Sequence, residues 1–240
     1  MQRALARAYK QEAPVFRTRI FAATLSLAAV APILGQAPDP SFTSRFDVDK
    51  NDLASTGRNP FFVLEPGYTL TLEGGSVRLV ITVLNETKTV DGVETRIIEE
   101  RESDKNELVE VSRNYYAISR RTNAVFYFGE DVDMYKAGKV VDHEGAWLSG
   151  VNGARFGLMM PGLPLMRARY FQEIAPKVAM DRAEIVSMTK AMAVPAGKFT
   201  NVLETLETTP LEPLAKESKY YAAGVGLIGD GELRLVKYGR

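Results

Sequence analysis

The chain has no cysteine among its 240 residues. Disulfides, thiolate metal sites and cysteine nucleophiles are therefore excluded, and stability has to come from packing alone. Histidine occurs once, as His143 between Asp142 and Glu144. A triad or a histidine-metal site would have to use it, and its place just past a hairpin signal reads as a surface position on a strand. No G-x-S-x-G sequence is present, so a nucleophile elbow has no support. Runs of basic residues are missing too, and 30 Lys and Arg balance 30 Asp and Glu. Such a chain is a poor nucleic-acid binder, because neutralising phosphates drives that affinity. These absences point to a non-catalytic protein with no cofactor and no nucleic-acid partner.

The longest apolar run, Ile20 to Leu34, is also short. Its roughly fifteen residues fall below the ~20 that a transmembrane helix needs. Arg17-Thr18-Arg19 precedes it, and Gly35-Gln36-Ala37 and Pro38-Asp39-Pro40 follow. A basic n-region, a short apolar core and small residues before a Pro-broken start are the parts of a secretory signal peptide. Residues 1–37 are accordingly expected to be removed on export to the periplasm or the medium, with cleavage after Gly35 or after Ala37. Pro38 argues against the second position, since its ring replaces the amide N–H. The leading stretch Met1 to Phe16 is long for an n-region and no second Met occurs before Met134, which points to a non-Met start near Val15. Without residues 1–37 the charges become 25 basic against 29 acidic, a net of about −4. The remaining ~200 residues suit one domain able to bury a core of its own.

Residues 38–60, rich in Pro, Asp, Asn and Ser, read as an extended lead-in to a single domain over 61–240. From Tyr68 the period is two. Tyr68, Leu70 and Leu72 alternate with threonines, Gly74-Gly75 turns the chain, and Val77, Leu79, Ile81 and Val83 alternate again. Asp91-Gly92 is a two-residue hairpin signal, because both positions tolerate positive φ. Glu99-Glu100-Arg101-Glu102 reads as a solvated strand tip. Turn signals recur about every 10 residues, as in an antiparallel meander. The stretch 150–166 breaks the rhythm with four glycines and two prolines among Phe156, Leu158, Met159, Met160, Leu163 and Leu165, and reads as a long apolar crossover. Residues 181–192 read as helix by propensity and as strand by context.

Three short patterns invite a chemical reading. Gly224-Val225-Gly226-Leu227-Ile228-Gly229 matches the dinucleotide motif in letters. Asp230-Gly231 follows at once, however, and leaves no helix and no βαβ unit to hold a pyrophosphate. Asp47-Val48-Asp49-Lys50-Asn51 opens like a calcium loop but carries Asp52 where Gly belongs and Arg58 where the bidentate Glu belongs. The third is an acidic hairpin. A two-residue loop at Ala137-Gly138 would gather Asp131, Asp133, Asp142 and Glu144 on one face, a set that suits Ca²⁺. Ala137 resists the positive φ such a loop demands, so a three-residue loop that disperses the four acids is expected instead.

Three patches are familiar in combination: Asn59-Pro60-Phe61-Phe62 with Leu64-Glu65-Pro66-Gly67, Val194-Pro195-Ala196-Gly197-Lys198-Phe199, and Tyr220-Tyr221-Ala222-Ala223-Gly224-Val225-Gly226-Leu227. Together they resemble a set of exported bacterial proteins of unknown function, similar in outline to periplasmic lipoprotein-carrier and lipid-binding half-barrels. The likeness spans residues 60–238. It implies a fold and a compartment and brings no catalytic residues with it.

The expected fold is all-β: an antiparallel, strongly curved sheet forming a half-open barrel or sandwich. The expected function is non-catalytic binding of a lipid or other apolar or amphipathic molecule on the concave face. The alternative is an interaction module for a cell-envelope protein. Candidate ligand-binding residues are Phe156, Leu158, Met159, Met160, Leu163 and Leu165 on the crossover, with Phe126 and Phe128 beneath it. Tyr68, Leu70, Val77 and Leu79 complete the expected lining.

Overall fold

The computed structural model describes residues 41–240. The expected signal segment and both cleavage points lie outside the described residues. In chain order the strands are β1 Leu53–Ala54, β2 Gly57–Asn59, β3 Phe62–Leu64, β4 Thr69–Gly74, β5 Val77–Val90, β6 Val93–Asp104, β7 Glu107–Ser119, β8 Val125–Lys136 and β9 Lys139–Asp142. They continue as β10 Trp147–Leu148, β11 Arg155–Met160, β12 Arg169–Phe171, β13 Glu173–Ile174, β14 Arg182–Val194, β15 Gly197–Thr209, β16 Glu212–Ala222, β17 Gly226–Asp230 and β18 Leu233–Gly239. The helical content of the described residues is one 3₁₀ turn, Lys50–Asp52. None of them forms a helix long and apolar enough to cross a membrane.

Local chemistry sets the meander. Asp91-Gly92 and Lys105-Asn106 both take positive φ, giving two-residue turns whose twist matches the strands they join. The β5–β6 register shifts between Val83 and Thr87, and Arg96 pins that irregularity. Its guanidinium donates to the carbonyls of Leu84 and Glu86 at 3.4 and 3.3 Å, to Ser55 O at 2.9 Å and to Thr56 Oγ1 at 2.7 Å. A bulge of this kind bends a strand, and the long β5 curves round the core.

The hydrogen-bonded order is β12-β14-β15-β16-β17-β18-β4-β5-β6-β7-β8-β11-β13, antiparallel throughout. Its two outermost strands, β12 and β13, are separated in the chain by Gln172 alone. One stretch, 169–174, therefore serves both edges: Tyr170 pairs with Ala183 of β14, and Glu173 pairs with Phe156 of β11. The result is a nearly closed, barrel-like sheet. Gly157 permits the seam, because a Cβ there would lie 2.3 Å from the carbonyl oxygen of Gln172.

Two expectations along the chain resolve here. The crossover over 150–166 is only partly irregular, since Arg155–Met160 forms β11 with β8 on one side and β13 on the other. Residues 182–194 are strand, because β12 and β15 take up their backbone groups from both sides.

Apolar side chains collect in two places. The larger cluster fills the barrel and includes Leu64, Leu72, Leu79, Tyr127, Met160, Ile185, Leu203 and Leu235. The smaller lies on the outer face of β6, β7 and β8 and holds Ile97, Tyr115, Ala117, Phe126 and Phe128. The lead-in covers part of it: Phe46 meets Phe126 edge-on with ring centres 6.1 Å apart, and Leu53 packs in the same cluster. Farther up, Thr43 exchanges backbone hydrogen bonds with Arg169 and Phe171 at 3.0 and 2.9 Å.

Candidate functional site

Alternation along the strands turns every second side chain into the barrel, and many of those are not apolar. On β6 they are Ile98, Glu100 and Glu102; on β7, Glu110, Ser112, Asn114 and Tyr116; on β8, Glu130. From the other wall come Lys219 and Tyr221 on β16 and Asp230 on β17.

Three spaces adjoin in turn, two in the interior and one at the surface. The first is an apolar cleft enclosing about 630 Å³, solvent at its mouth included. Phe61, Tyr68, Leu70, Val83 and Val225 line it, and its inner end carries Glu100, Lys219 and Asp230. The second is an acidic chamber walled by Glu100, Glu102, Glu110 and Glu130. Glu100, Tyr116, Met159 and Lys219 border both spaces. The third lies beyond Glu130 at the surface and is lined by Glu144, Glu173 and Asp181 with Met134 and Leu211.

Among the described residues, Lys219 is the one cation bordering the first two spaces. Its ammonium lies 3.1 Å from Glu207 Oε2 and 3.7 Å from Asp230 Oδ2, and 14% of the side chain is exposed. Burial opposes its charge, but the carboxylates of Asp230 and Glu207 outweigh burial and hold its pKa well above the ordinary lysine value. Glu207 is fixed from behind by Gln172 Nε2 at 2.8 Å. Beside them, burial and then the charge of Asp230 push the Glu217 carboxyl up to about 8, so it keeps its proton at neutral pH. Burial and then Glu207 raise the phenols of Tyr170 and Tyr221 far above the usual range. The lone tryptophan bonds to the seam strand β13: Trp147 Nε1 donates to Glu173 Oε2 at 2.8 Å, and its ring meets Tyr127 edge-on.

Of the eight candidate ligand residues, Met159 borders the cleft and the chamber. Met160 is fully buried in the interior core. Phe156 stacks on Phe128 at 4.9 Å and meets Phe126 edge-on at 5.9 Å, which places all three in the outer cluster rather than round a cavity. Leu158 packs against both clusters. Leu163 and Leu165 are 78% and 62% exposed on the loop after β11. The reason is parity: strict alternation sends Phe156 and Leu158 outward, and a register shift between Leu158 and Met160 brings two successive methionines in. Of the remaining expected lining, Tyr68 and Leu70 border the cleft, Leu79 borders the chamber, and Val77 is core.

The acidic interior was missed. Its signal was a period-two series of polar residues, and that pattern also describes a solvated face. Glu102, expected at a solvated tip, is buried. Its neighbours Glu99 and Arg101 point the other way, with Glu99 3.0 Å from Arg113.

The acidic hairpin takes the loop that was not expected. Lys136 pairs with Lys139, and Ala137 and Gly138 have φ of 50° and 72°. A shift then sets Met134 opposite Asp142, and the four acids go separate ways. Asp131 accepts from Tyr115 Oη and, at 2.9 Å, from Lys88 Nζ; Asp133 lies 3.0 Å from His143 Nδ1; Asp142 accepts from the His143 amide at 2.6 Å; Glu144 borders the third space. Among the described residues, no group of three or more His, Asp or Glu is placed to hold a metal ion. Asp49, from the calcium-like segment, caps the 3₁₀ turn by accepting from Asn51 N at 3.0 Å.

Fold and interior together define a nearly closed, barrel-like antiparallel sheet with an amphipathic interior. No family model matches the chain, and neither a curated protein nor a solved structure does.

Proposed function

We propose that the protein is an exported, non-catalytic binding protein that holds an apolar or amphipathic small molecule inside its barrel. The observation that carries this reading is the apolar cleft between Phe61, Tyr68, Leu70, Val83 and Val225, which leads inward to polar groups. Ligand sites are typically concave and mostly apolar, with a few convergent polar side chains. A filled core would leave few voids larger than a water molecule. Export rests on the basic-apolar-small pattern at Arg17 to Ala37.

Native mass spectrometry of protein purified from its own host tests the reading: a lipid-sized mass should travel with the wild type. Val225→Trp, which fills the cleft, should lose that mass while keeping its fold. A wild type that carries nothing, and takes up no alkyl probe, would remove the binding reading. The second reading, a docking module for an envelope protein, is favoured by Leu163, Leu165 and Met166, three apolar side chains exposed on one loop.

A further inference from the structure

Leu163, Leu165 and Met166, close together on the loop after β11, are each more than half exposed. Single exposed leucines are ordinary, whereas a contiguous apolar group marks a contact surface. Slackness of the loop does not explain their exposure. Asn59, itself buried, donates through Nδ2 to Pro161 O at 2.9 Å and to Asn123 O at 2.8 Å. A Cβ on Gly162 would overlap Thr122 O, so the loop sits directly on the turn 120–123. Pro164, between the two leucines, is buried. Ala168 N donates to Leu165 O at 3.0 Å and Arg167 N to Ile185 O at 2.8 Å, which ties down the far end. A loop fixed at both ends and in the middle presents its apolar tips ready-made, so docking them costs little ordering entropy.

The rim of this loop is cationic. Arg120 and Arg121 belong to the turn on which it rests, and Arg167 follows Met166. Asp52 meets Arg121 at 3.5 Å. Arg120 donates to the carbonyl of Asn51 at 2.9 Å, and neither it nor Arg167 is ion-paired among the described residues. The chain from residue 38 on is acidic overall, with 25 basic against 29 acidic residues, so this rim is a local excess of positive charge. The loop also lies beside the cleft. The Phe61 amide donates to Asn59 Oδ1 at 2.8 Å, and Phe61 lines the apolar cleft.

We infer that this loop docks the protein on an anionic lipid bilayer, Leu163, Leu165 and Met166 entering the acyl region while Arg120, Arg121 and Arg167 meet the head groups. Apolar insertion and electrostatic attraction each hold a protein only weakly at a bilayer, and stable attachment takes two such signals together. The arginines favour a lipid surface over a protein partner. Projecting apolar tips need no shaped pocket to enter fluid lipid, and guanidinium groups match phosphate oxygens. Docking of this kind holds the cleft at the bilayer face, the phase from which an amphipathic guest comes. The inference goes beyond the binding function proposed above and fails separately from it.

Flotation tests it, with protein purified from its own host and vesicles of phosphatidylcholine or of phosphatidylglycerol. The wild type is expected to bind phosphatidylglycerol about tenfold or more tighter than phosphatidylcholine, and added salt should narrow the gap. Leu163→Ser combined with Leu165→Ser should weaken binding to phosphatidylglycerol about tenfold or more. Its melting temperature should stay unchanged, because both side chains are exposed. Arg167→Gln should reduce the preference for phosphatidylglycerol and leave binding to phosphatidylcholine as it was. A wild type that floats with neither vesicle would overturn the inference, and so would equal binding of the two lipids. Binding untouched by the leucine pair, as through the apolar run Ile20 to Leu34, would overturn it as well. If neither vesicle binds and a photo-cross-linker at position 163 captures one envelope protein, the loop belongs to a protein interface instead. A mass carried in the cleft leaves the binding function standing in each of these cases, whereas vesicle binding without such a mass removes that function and leaves the loop assigned.

Discussion

The ammonium of Lys219 stands 3.1 Å from the carboxylate of Glu207, at the border between the apolar cleft and the acidic chamber. The pair joins β16 to β15, and Gln172 ties it to the seam where the barrel closes. Removing one partner of a buried ion pair leaves the other charge without compensation. Lys219→Met should therefore cost about 3 to 5 kcal/mol in urea denaturation at neutral pH. Adding Glu207→Gln to it should recover part of that loss, and a double variant no better than the single would show that the pair is not the source.

Glu217 makes stability depend on pH. Its carboxyl titrates near 4.5 when unfolded and at about 8 when folded, so the folded state holds an extra proton between those values. The stabilising contribution is fully present below the unfolded value and is lost as pH rises through the folded one. Between about pH 5 and 8 the wild type should lose on the order of 2 kcal/mol relative to Glu217→Gln. Parallel stability curves for the two proteins would contradict this.

Met160 and Leu163 lie three residues apart and should behave oppositely. Met160 is fully buried, and Met160→Ala should cost about 2 to 5 kcal/mol. Leu163 is 78% exposed, and Leu163→Ala should change stability by less than about 0.5 kcal/mol. Chemical denaturation of both variants checks the contrast.

Gly157 tests the seam. A methyl group there would sit 2.3 Å from a backbone carbonyl of Gln172 that cannot rotate away. Gly157→Ala should cost about 3 kcal/mol, and amide exchange should accelerate first in 169–174 and in β11. Uniform acceleration across the barrel would mean that the seam is not a separate weak point.

Ala137 holds a φ of 50°, a conformation that an L side chain pays about 1 to 2 kcal/mol to adopt. Ala137→Gly should relieve part of this and slow amide exchange in the β8–β9 hairpin. Faster exchange would indicate that the added backbone freedom of glycine outweighs the relief.

Much of the fold was legible because its causes are local. The alternation from Tyr68 to Val83 and the turn residues Asp91-Gly92 act over a few bonds and give β4, β5 and β6 directly. Tyr68 and Leu70 were placed on the concave face by the same alternation. At 181–192 local preference allowed two answers, and only the flanking strands β12 and β15 chose between them. At Ala137 local preference gave the wrong loop. There the cross-strand pairing of Lys136 with Lys139 and Tyr135 with Val140 prevails over the strain of one residue.

By itself, then, the sequence determined an all-β antiparallel chain, its meander and most of its turns, because backbone geometry and side-chain alternation are properties of neighbours along the chain. The tertiary structure alone decided which alternate face became the interior. Glu100 and Glu102 read as part of a solvated tip, and nothing local marks Glu110 and Glu130 as inward, until residues 169–174 bond to β14 on one side and β11 on the other. That closure lies far from those acids in sequence, and a period of two is the same whether its polar face meets water or the inside of a barrel.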